Sequence, residues 1–345
     1  MPNKIQVITI GSATEDLIVL TSEGRILPGE SATCEKLLAF EYGAKIPVGR
    51  IQNSPGGAGA NVAIGLSKLG VNAQANVAVG GDEIGENLKK YLEKSGVDAS
   101  LCQTVHEYPS DRSVILVEPL DRDRTIFYNR EAGRKLKLKD ISKWKAEWVF
   151  VSSLTDGWEN KLGQILKLRK EKGVRIAWNP GRTQIQAGIK FLSPLLAETS
   201  VLFLNWDEAL ELALSDKDFK NAYNHKKSTK KAVIKFLQNI GSGIVVITLG
   251  RKGSIATDGY YYLKAPSFSP KRVELTGAGD AYTSGFLASW INEPGNLKRA
   301  MSWGMANSGS VVLYFGAEKG LLTLAQIKRK INEVIMDAVI EERRL

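Results

Sequence analysis

The chain has 345 residues, 43% of them hydrophobic, which is enough to bury a large core in one or two domains. Lys and Arg number 47 against 37 Asp and Glu, a net charge of +10, and only Cys34 and Cys102 are present, so a disulfide framework is excluded and a reduced, cytoplasmic protein is expected. With only His106 and His225, a histidine-rich metal site or a Ser-His-Asp triad has little material, and no apolar run is long enough to span a bilayer, so no membrane partner is expected.

Taken in order, the first apolar strand covers 5–10 and runs into Gly11-Ser12-Ala13-Thr14-Glu15-Asp16. Residues 17–20 and 37–40 then read as strands with no helix between them. A glycine-rich turn, Asn53-Ser54-Pro55-Gly56-Gly57-Ala58-Gly59-Ala60-Asn61, feeds a small-residue helix, and a strand over 71–79 and a helix over 86–95 follow. Two more strand-like runs, 113–117 and 125–128, flank an Asp121-Arg122-Asp123 turn. With 17–20 and 37–40 they predict either a small sheet standing off the body or a hairpin packed on it.

Downstream, strands at 148–152, 174–178, 201–204 and 244–248 alternate with helices such as 158–172 and 230–240. That alternation predicts an α/β fold with a parallel sheet covered on both faces. Residues 296–313 and 324–340 read as mostly helical, and no repeat or low-complexity linker divides the chain, so 1–345 is expected to be one domain. The positive charge gathers in 134–145, 161–175 and 226–231, which read as solvated faces of outer helices. A nucleic-acid binder would use such clusters as phosphate contacts with Trp144, Trp148 or Trp158 as stacking surfaces, but no zinc-finger, RRM or KH pattern accompanies them. No nucleic-acid partner is expected, and a positive field equally suits an anionic nucleotide.

The densest chemistry lies in Glu274-Leu275-Thr276-Gly277-Ala278-Gly279-Asp280-Ala281-Tyr282-Thr283-Ser284. Gly277 and Gly279 let the backbone lay its N–H groups against an anion, and a helix starting at Ala278 adds unpaired donors and a positive dipole end. Asp280 in that first turn is expected to be ionised and ready to take a proton from a hydroxyl, which points to phosphoryl transfer. An isolated turn of this kind is also what a capped helix start looks like. There is no Gly-x-x-x-x-Gly-Lys-Ser/Thr loop, no protein-kinase signature and no dinucleotide-binding glycine register after the first strand.

The two glycine-rich segments together, in this order and far apart, resemble the two signatures of the ribokinase (PfkB) family of carbohydrate kinases. Gly11 to Asp16, Asn205-Trp206-Asp207-Glu208 and Thr248-Leu249-Gly250-Arg251-Lys252-Gly253 are similar to further family segments. The resemblance implies a ribokinase-like three-layer α/β/α sandwich with a central mostly parallel sheet and a small β-sheet lid, here about 14–50 and 108–131, through which two copies of the chain can pair as a homodimer. It implies ATP and Mg²⁺ as cofactors and phosphorylation of a hydroxyl, in particular a hydroxymethyl, of a small sugar. Asp280 would be the general base and Gly277, Ala278 and Gly279 the anion hole. Asp16, Gly56, Gly57 and Asn61 would hold the sugar. Thr248, Gly250, Gly253 and Asn307 would line the nucleotide cleft, and Asn205 and Glu208 would hold Mg²⁺ through water.

Asn205 also suits a plain helix cap, and Asn307 a plain polar helix position. The chain departs from the family at Glu274-Leu275, where many members have Asp-Thr beside a monovalent-cation site, so the resemblance leaves K⁺ activation open. Ala58 stands where some ribokinases have Lys, and Arg130-Glu131-Ala132-Gly133 replaces the usual Gly-Ala after the second lid pair. A phosphosugar calls for a cation such as Arg112, Arg124 or Arg130, and a nucleoside for a platform such as Phe40, Phe127 or Tyr128. A free sugar needs neither and is the preferred expectation, with an adenosine-type nucleoside as the alternative.

Overall fold

The computed structural model describes residues 4–31, 34–118, 124–224, 229–268, 275–331 and 341–344. The predicted Asp121-Arg122-Asp123 turn, His225, residues 226–228 of the last basic cluster, Glu274 and the 332–340 part of the final predicted helix lie outside the described residues.

Among the described residues nine strands form the main sheet, and six adjacent ones are parallel: Ile244–Thr248, Val201–Asn205, Arg175–Trp178, Trp148–Val151, Val7–Ile10 and Ala73–Asn76. Most of these short runs are predominantly apolar because both faces are buried, the exception being Ala73–Asn76 at the edge, which carries Gln74 and Asn76. Successive side chains point to opposite faces, so Val201 and Phe203 enter one core while Leu202 and Leu204 enter the other. The first core is closed by helices Ala58–Lys68, Glu83–Lys94, Ala278–Asn292 and Leu297–Val311, through Leu66, Leu88, Phe286 and Trp303. The second is closed by Trp158–Lys172, Ile189–Glu198, Trp206–Leu214 and Lys230–Asn239, through Leu162, Leu192, Leu212 and Ile234. The result is the expected three-layer α/β/α sandwich.

Where the sequence showed no helix between strands, a second sheet forms, in the order Arg124–Asn129, Arg112–Val117, Thr14–Leu20, Arg50–Gly56. Thr14–Leu20 and Arg112–Val117 run parallel, and the outer pairs are antiparallel. The hairpin Arg25–Ser31 and Cys34–Ala39 stands beside it as a separate two-stranded sheet.

Several expected boundaries move. Part of the turn expected at 53–61 is strand Arg50–Gly56, because seven paired positions with Thr14–Leu20 outweigh the weak strand preference of Asn, Ser and Pro. Its Pro55 is tolerated because this strand forms the edge of its sheet. The strand expected over 71–79 divides into Ala73–Asn76, in the main sheet, and Ala78–Gly80, which pairs with Gln103–Val105. The main sheet also gains three antiparallel strands, Ser254–Thr257, Tyr261–Ala265 and Glu341–Arg344, which alternation of strand and helix could not announce.

Phe286 is fully buried and meets Phe203 edge to face with ring centroids 5.4 Å apart, fixing helix Ala278–Asn292 against the central sheet. Phe286→Ala is expected to cost about 3–5 kcal/mol, read as a lower urea midpoint at unchanged slope.

Candidate active site

Parallel strands buried on both faces leave their C-terminal ends as the place where backbone and polar side chains face a crevice. Here Gly11 and Ser12 follow the first strand, Asn205 ends Val201–Asn205 and Thr248 ends Ile244–Thr248. Helix Ala278–Asn292 begins at the same crevice. Its N-cap is Gly277, at φ +76, where a β-carbon would also fall 2.4 Å from that of Ala317. Only glycine suits that turn.

Two cavities meet at this helix start. One, of about 270 Å³, is lined by Thr14, Asp16, Asn61, Gly277, Gly279 and Asp280, among others. The other, of about 430 Å³, is lined by Thr248, Gly250, Gly253, Phe268, Ala278 and Gly279, among others. Gly279 and Arg124 border both.

On the first side, Asp16 is buried and accepts a hydrogen bond from Thr14 Oγ1 at 2.9 Å. Gly56 lies beneath it: a β-carbon there would come within 2.0 Å of Asp16 Oδ2. Gly57, at φ +91, turns the chain from strand into helix Ala58–Lys68. That helix carries Asn61, whose Nδ2 donates to Asp280 Oδ2 at 2.8 Å. The expectation that the helix dipole leaves Asp280 simply ionised is modified by its surroundings. Burial pushes its carboxyl up to about 6, reinforced by the charge of Asp16 and opposed by the Asn61 hydrogen bond and Arg124. Of the three expected anion-hole amides, that of Ala278 already donates to the Leu275 carbonyl, at a long 3.3 Å.

On the second side, Asn205 lines the cavity but also caps helix Trp206–Leu214: its Oδ1 accepts from Glu208 N at 2.9 Å, and Glu208 Oε2 accepts from Asn205 N at 2.9 Å. Burial pushes Glu208 up to about 7, with Asp207 and Glu211 adding to the effect. Among the described residues no cluster of three or more His, Cys, Asp or Glu side chains forms a metal cage.

Asn307 is a correction. It is fully buried, its Nδ2 donates to the Ala281 carbonyl and Ser284 Oγ, its Oδ1 accepts from Leu322 N, and it lines neither cavity. Its polar atoms are used in holding helix Ala278–Asn292, not in facing a nucleotide. Its neighbours Met305, Ser308 and Gly309 border the larger cavity instead.

The expected aromatic platforms also sit elsewhere. Phe127 and Tyr128 are largely exposed, and among the described residues no aromatic side chain, Phe40 included, borders the Asp280 cavity, whose apolar wall is Ile115 and Ile126, although Tyr128 lines an adjoining cavity. Of the three arginines, Arg124 and Arg130 line that cavity, while Arg112 faces outward beside Glu15 at 3.5 Å. Sequence reasoning missed Ser12 and Thr14 as cavity residues, although both lie in the segment between the first strand and Asp16. Phe268 and Tyr282 in the larger cavity had no signal beyond being aromatic. Among the described residues no helix is long and apolar enough to cross a membrane, and Cys102 is a free thiol whose burial pushes it up to about 11.

A family model described as pfkB family carbohydrate kinase matches residues 31–324. The chain is 23% identical over 304 residues to an ATP-dependent 6-phosphofructokinase of Thermoanaerobacterium thermosaccharolyticum, covering 85% of this chain and 89% of that protein. It is 24% identical over 294 residues to a probable fructokinase of Arabidopsis thaliana, covering 80% and 87%. Its fold matches the crystal structure of a Methanocaldococcus jannaschii nucleoside kinase, described as an archaeal member of the ribokinase family. The TM-score is 0.72 at 23% identity, covering 96% of this chain and 99% of that one.

Because the Asn61 hydrogen bond stabilises the ionised form of Asp280, Asn61→Ala is expected to raise the Asp280 pKa from about 6 by about one unit or more. Carboxyl ¹³C NMR titration of both proteins measures that shift.

Proposed function

The chain belongs to the pfkB family of carbohydrate kinases, and on that premise we propose that it transfers the γ-phosphoryl group of ATP to a hydroxyl, specifically a hydroxymethyl, of a small sugar. The observation that carries this reading is the junction at Gly279. One helix N-terminus borders both the larger cavity and the carboxylate-lined one, with Asp280 on the carboxylate side.

The sugar occupies the smaller cavity, where Asp16 and Asn61, with the backbone of Gly56 and Gly57, match the paired donors and acceptors of a polyol. The absence of an aromatic ring from that wall favours a sugar over a flat nucleobase. ATP occupies the larger cavity beside Thr248, Gly250 and Gly253, whose mixture of apolar wall and exposed backbone suits a base and a phosphate chain. Asp280 removes the proton of the acceptor hydroxyl as its oxygen attacks the γ-phosphorus, and the bond to the ADP oxygen breaks. The amides of Gly277, Ala278 and Gly279 and the guanidinium of Arg124 meet the charge on the transferring group.

Asn205 and Glu208 suit Mg²⁺ held through water: each makes one capping bond and keeps further acceptor capacity, and the ion needs few direct protein ligands. Bound there, Mg²⁺ would neutralise phosphate charge. The single kinase domain carries a lid, expected at about 14–50 and 108–131 and extended by strand Arg50–Gly56 of the second sheet, that keeps water from the phosphoryl group. Exposed Ile51, Val114 and Phe127 on that sheet form the surface through which a second copy would pair.

Asp280→Asn is expected to lower turnover by about 10²- to 10⁴-fold while ATP affinity stays nearly unchanged, since the base is removed and the cradle kept. An ADP-release assay over a panel of sugars and nucleosides, beside nucleotide titration of the variant, tests this; undiminished turnover would remove Asp280 from the role.

Protonation of Asp280 disables the base, so kcat/KM should be retained above and fall below a pH of about 6 in the free enzyme, with unit slope. A flat profile from pH 7 to 5 contradicts the assignment.

A further inference from the structure

Ser12 and Arg130 border not only the Asp280 cavity but also a third, of about 300 Å³, which shares no lining residue with the larger cavity. Its lining brings together three cations from separate parts of the chain: Arg130 after the second sheet, Lys161 on helix Trp158–Lys172, and Arg182 at the start of helix Arg182–Ala187. Ser153 and Leu154, which follow strand Trp148–Val151, line it as well. Among the described residues the only carboxylate lining it is Asp111, which is buried, accepts from the amides of Glu131 and Gly133 at 2.8 and 3.0 Å, and lies 3.9 Å from Arg130 Nε. One negative charge therefore faces three positive ones.

The cations are built in different ways. Lys161 is 8% exposed, and its ammonium donates to the Asp156 carbonyl, which uses one of its three donors. Burial disfavours this ammonium more than the nearby Asp156 and Glu159 carboxylates, neither of which lines the cavity, favour it, so an anion entering the cavity would stabilise it. Arg130 is held in place by bonds to the Arg112 carbonyl at 2.9 Å and Ser113 Oγ at 3.1 Å. Arg182 is exposed and has no ion-pair partner among the described residues.

Resting on the kinase reading above, we infer that the acceptor is a sugar carrying an oxyanion, phosphate or carboxylate, at its non-reacting end, and that Arg130, Lys161 and Arg182 receive that group. The reacting hydroxyl lies at Asp280, the sugar body passes Ser12, and the anion enters the basic cavity. This replaces the expectation of a free, neutral sugar. The geometry supplies the cation that a phosphosugar requires, and supplies it beyond Arg130, at two positions that the sequence did not connect to the site.

Isothermal titration of the ADP-bound protein with ribose, fructose, glucose and adenosine, against ribose 1-phosphate, fructose 6-phosphate and gluconate, reads acceptor binding without turnover. At least one oxyanion-bearing probe should bind about 10- to 100-fold more tightly than its neutral counterpart, and Arg182→Gln and Lys161→Met should each narrow that gap. The phosphate and carboxylate arms show which oxyanion is preferred. Equal affinity for charged and neutral probes, or a preference that survives in both variants, overturns the inference. ADP release is measured in parallel. Neutral sugars phosphorylated with no oxyanion preference leave the kinase reading standing and remove this one, whereas variant-sensitive oxyanion binding with no turnover on any probe does the reverse.

Discussion

A single hydrogen bond, from Asn61 Nδ2 to Asp280 Oδ2 at 2.8 Å, joins two glycine-rich segments 219 residues apart, and the candidate site depends on the packing that makes it possible. Helices Ala58–Lys68 and Ala278–Asn292 approach so closely that a β-carbon on Gly65 would come within 2.2 Å of Ser284 Oγ. Small residues on both helices allow this, which explains why neither has a marked polar face over most of its length. Asn307 holds the second helix from its other side, tying Ala281 and Ser284 to the backbone of Leu322. A buried asparagine with both ends satisfied adds direction to a contact that apolar packing alone would leave free to slide.

That rigid placement puts a carboxylate where it is costly to ionise and useful when ionised. Asp16 and Asp280 approach from different segments, and their mutual repulsion adds to burial in raising Asp280. Asn61 and Arg124 act in the opposite sense. For the proposed role that balance is suitable, since a carboxyl raised to about 6 is ionised near neutral pH yet more basic than a fully solvated aspartate. Arg124 and Arg130, from the two ends of one strand region in the small sheet, border the same carboxylate-lined cavity. The small sheet therefore contributes charge as well as cover.

The legible part of the site was the part carried by local backbone demands. Gly277-Ala278-Gly279-Asp280 announces a helix start able to cradle an anion, because glycine and an acidic first-turn residue have few other uses in that order. Gly56, Gly57 and Asn61 stood out for the same reason. Asn307 was misplaced because its residue type and helical setting say nothing about which way the side chain faces, and burial spent its polar atoms elsewhere. Lys161 and Arg182 were hidden differently. Each looked like one of many cations in a basic chain, Lys161 within a cluster read as a solvated helix face, yet it is 8% exposed and lines a cavity.

Local sequence was thus sufficient for the layered α/β architecture, since a strand buried on both faces must be predominantly apolar and a covering helix must be periodic. It was also sufficient to mark the glycine turn, the helix start at Ala278 and the first-turn carboxylate of Asp280. Tertiary structure decided which distant side chains share a cavity, that three antiparallel strands extend the parallel sheet, and how far burial shifts each carboxyl. Those properties arise from summed long-range contacts and desolvation, and no window of neighbouring residues contains them.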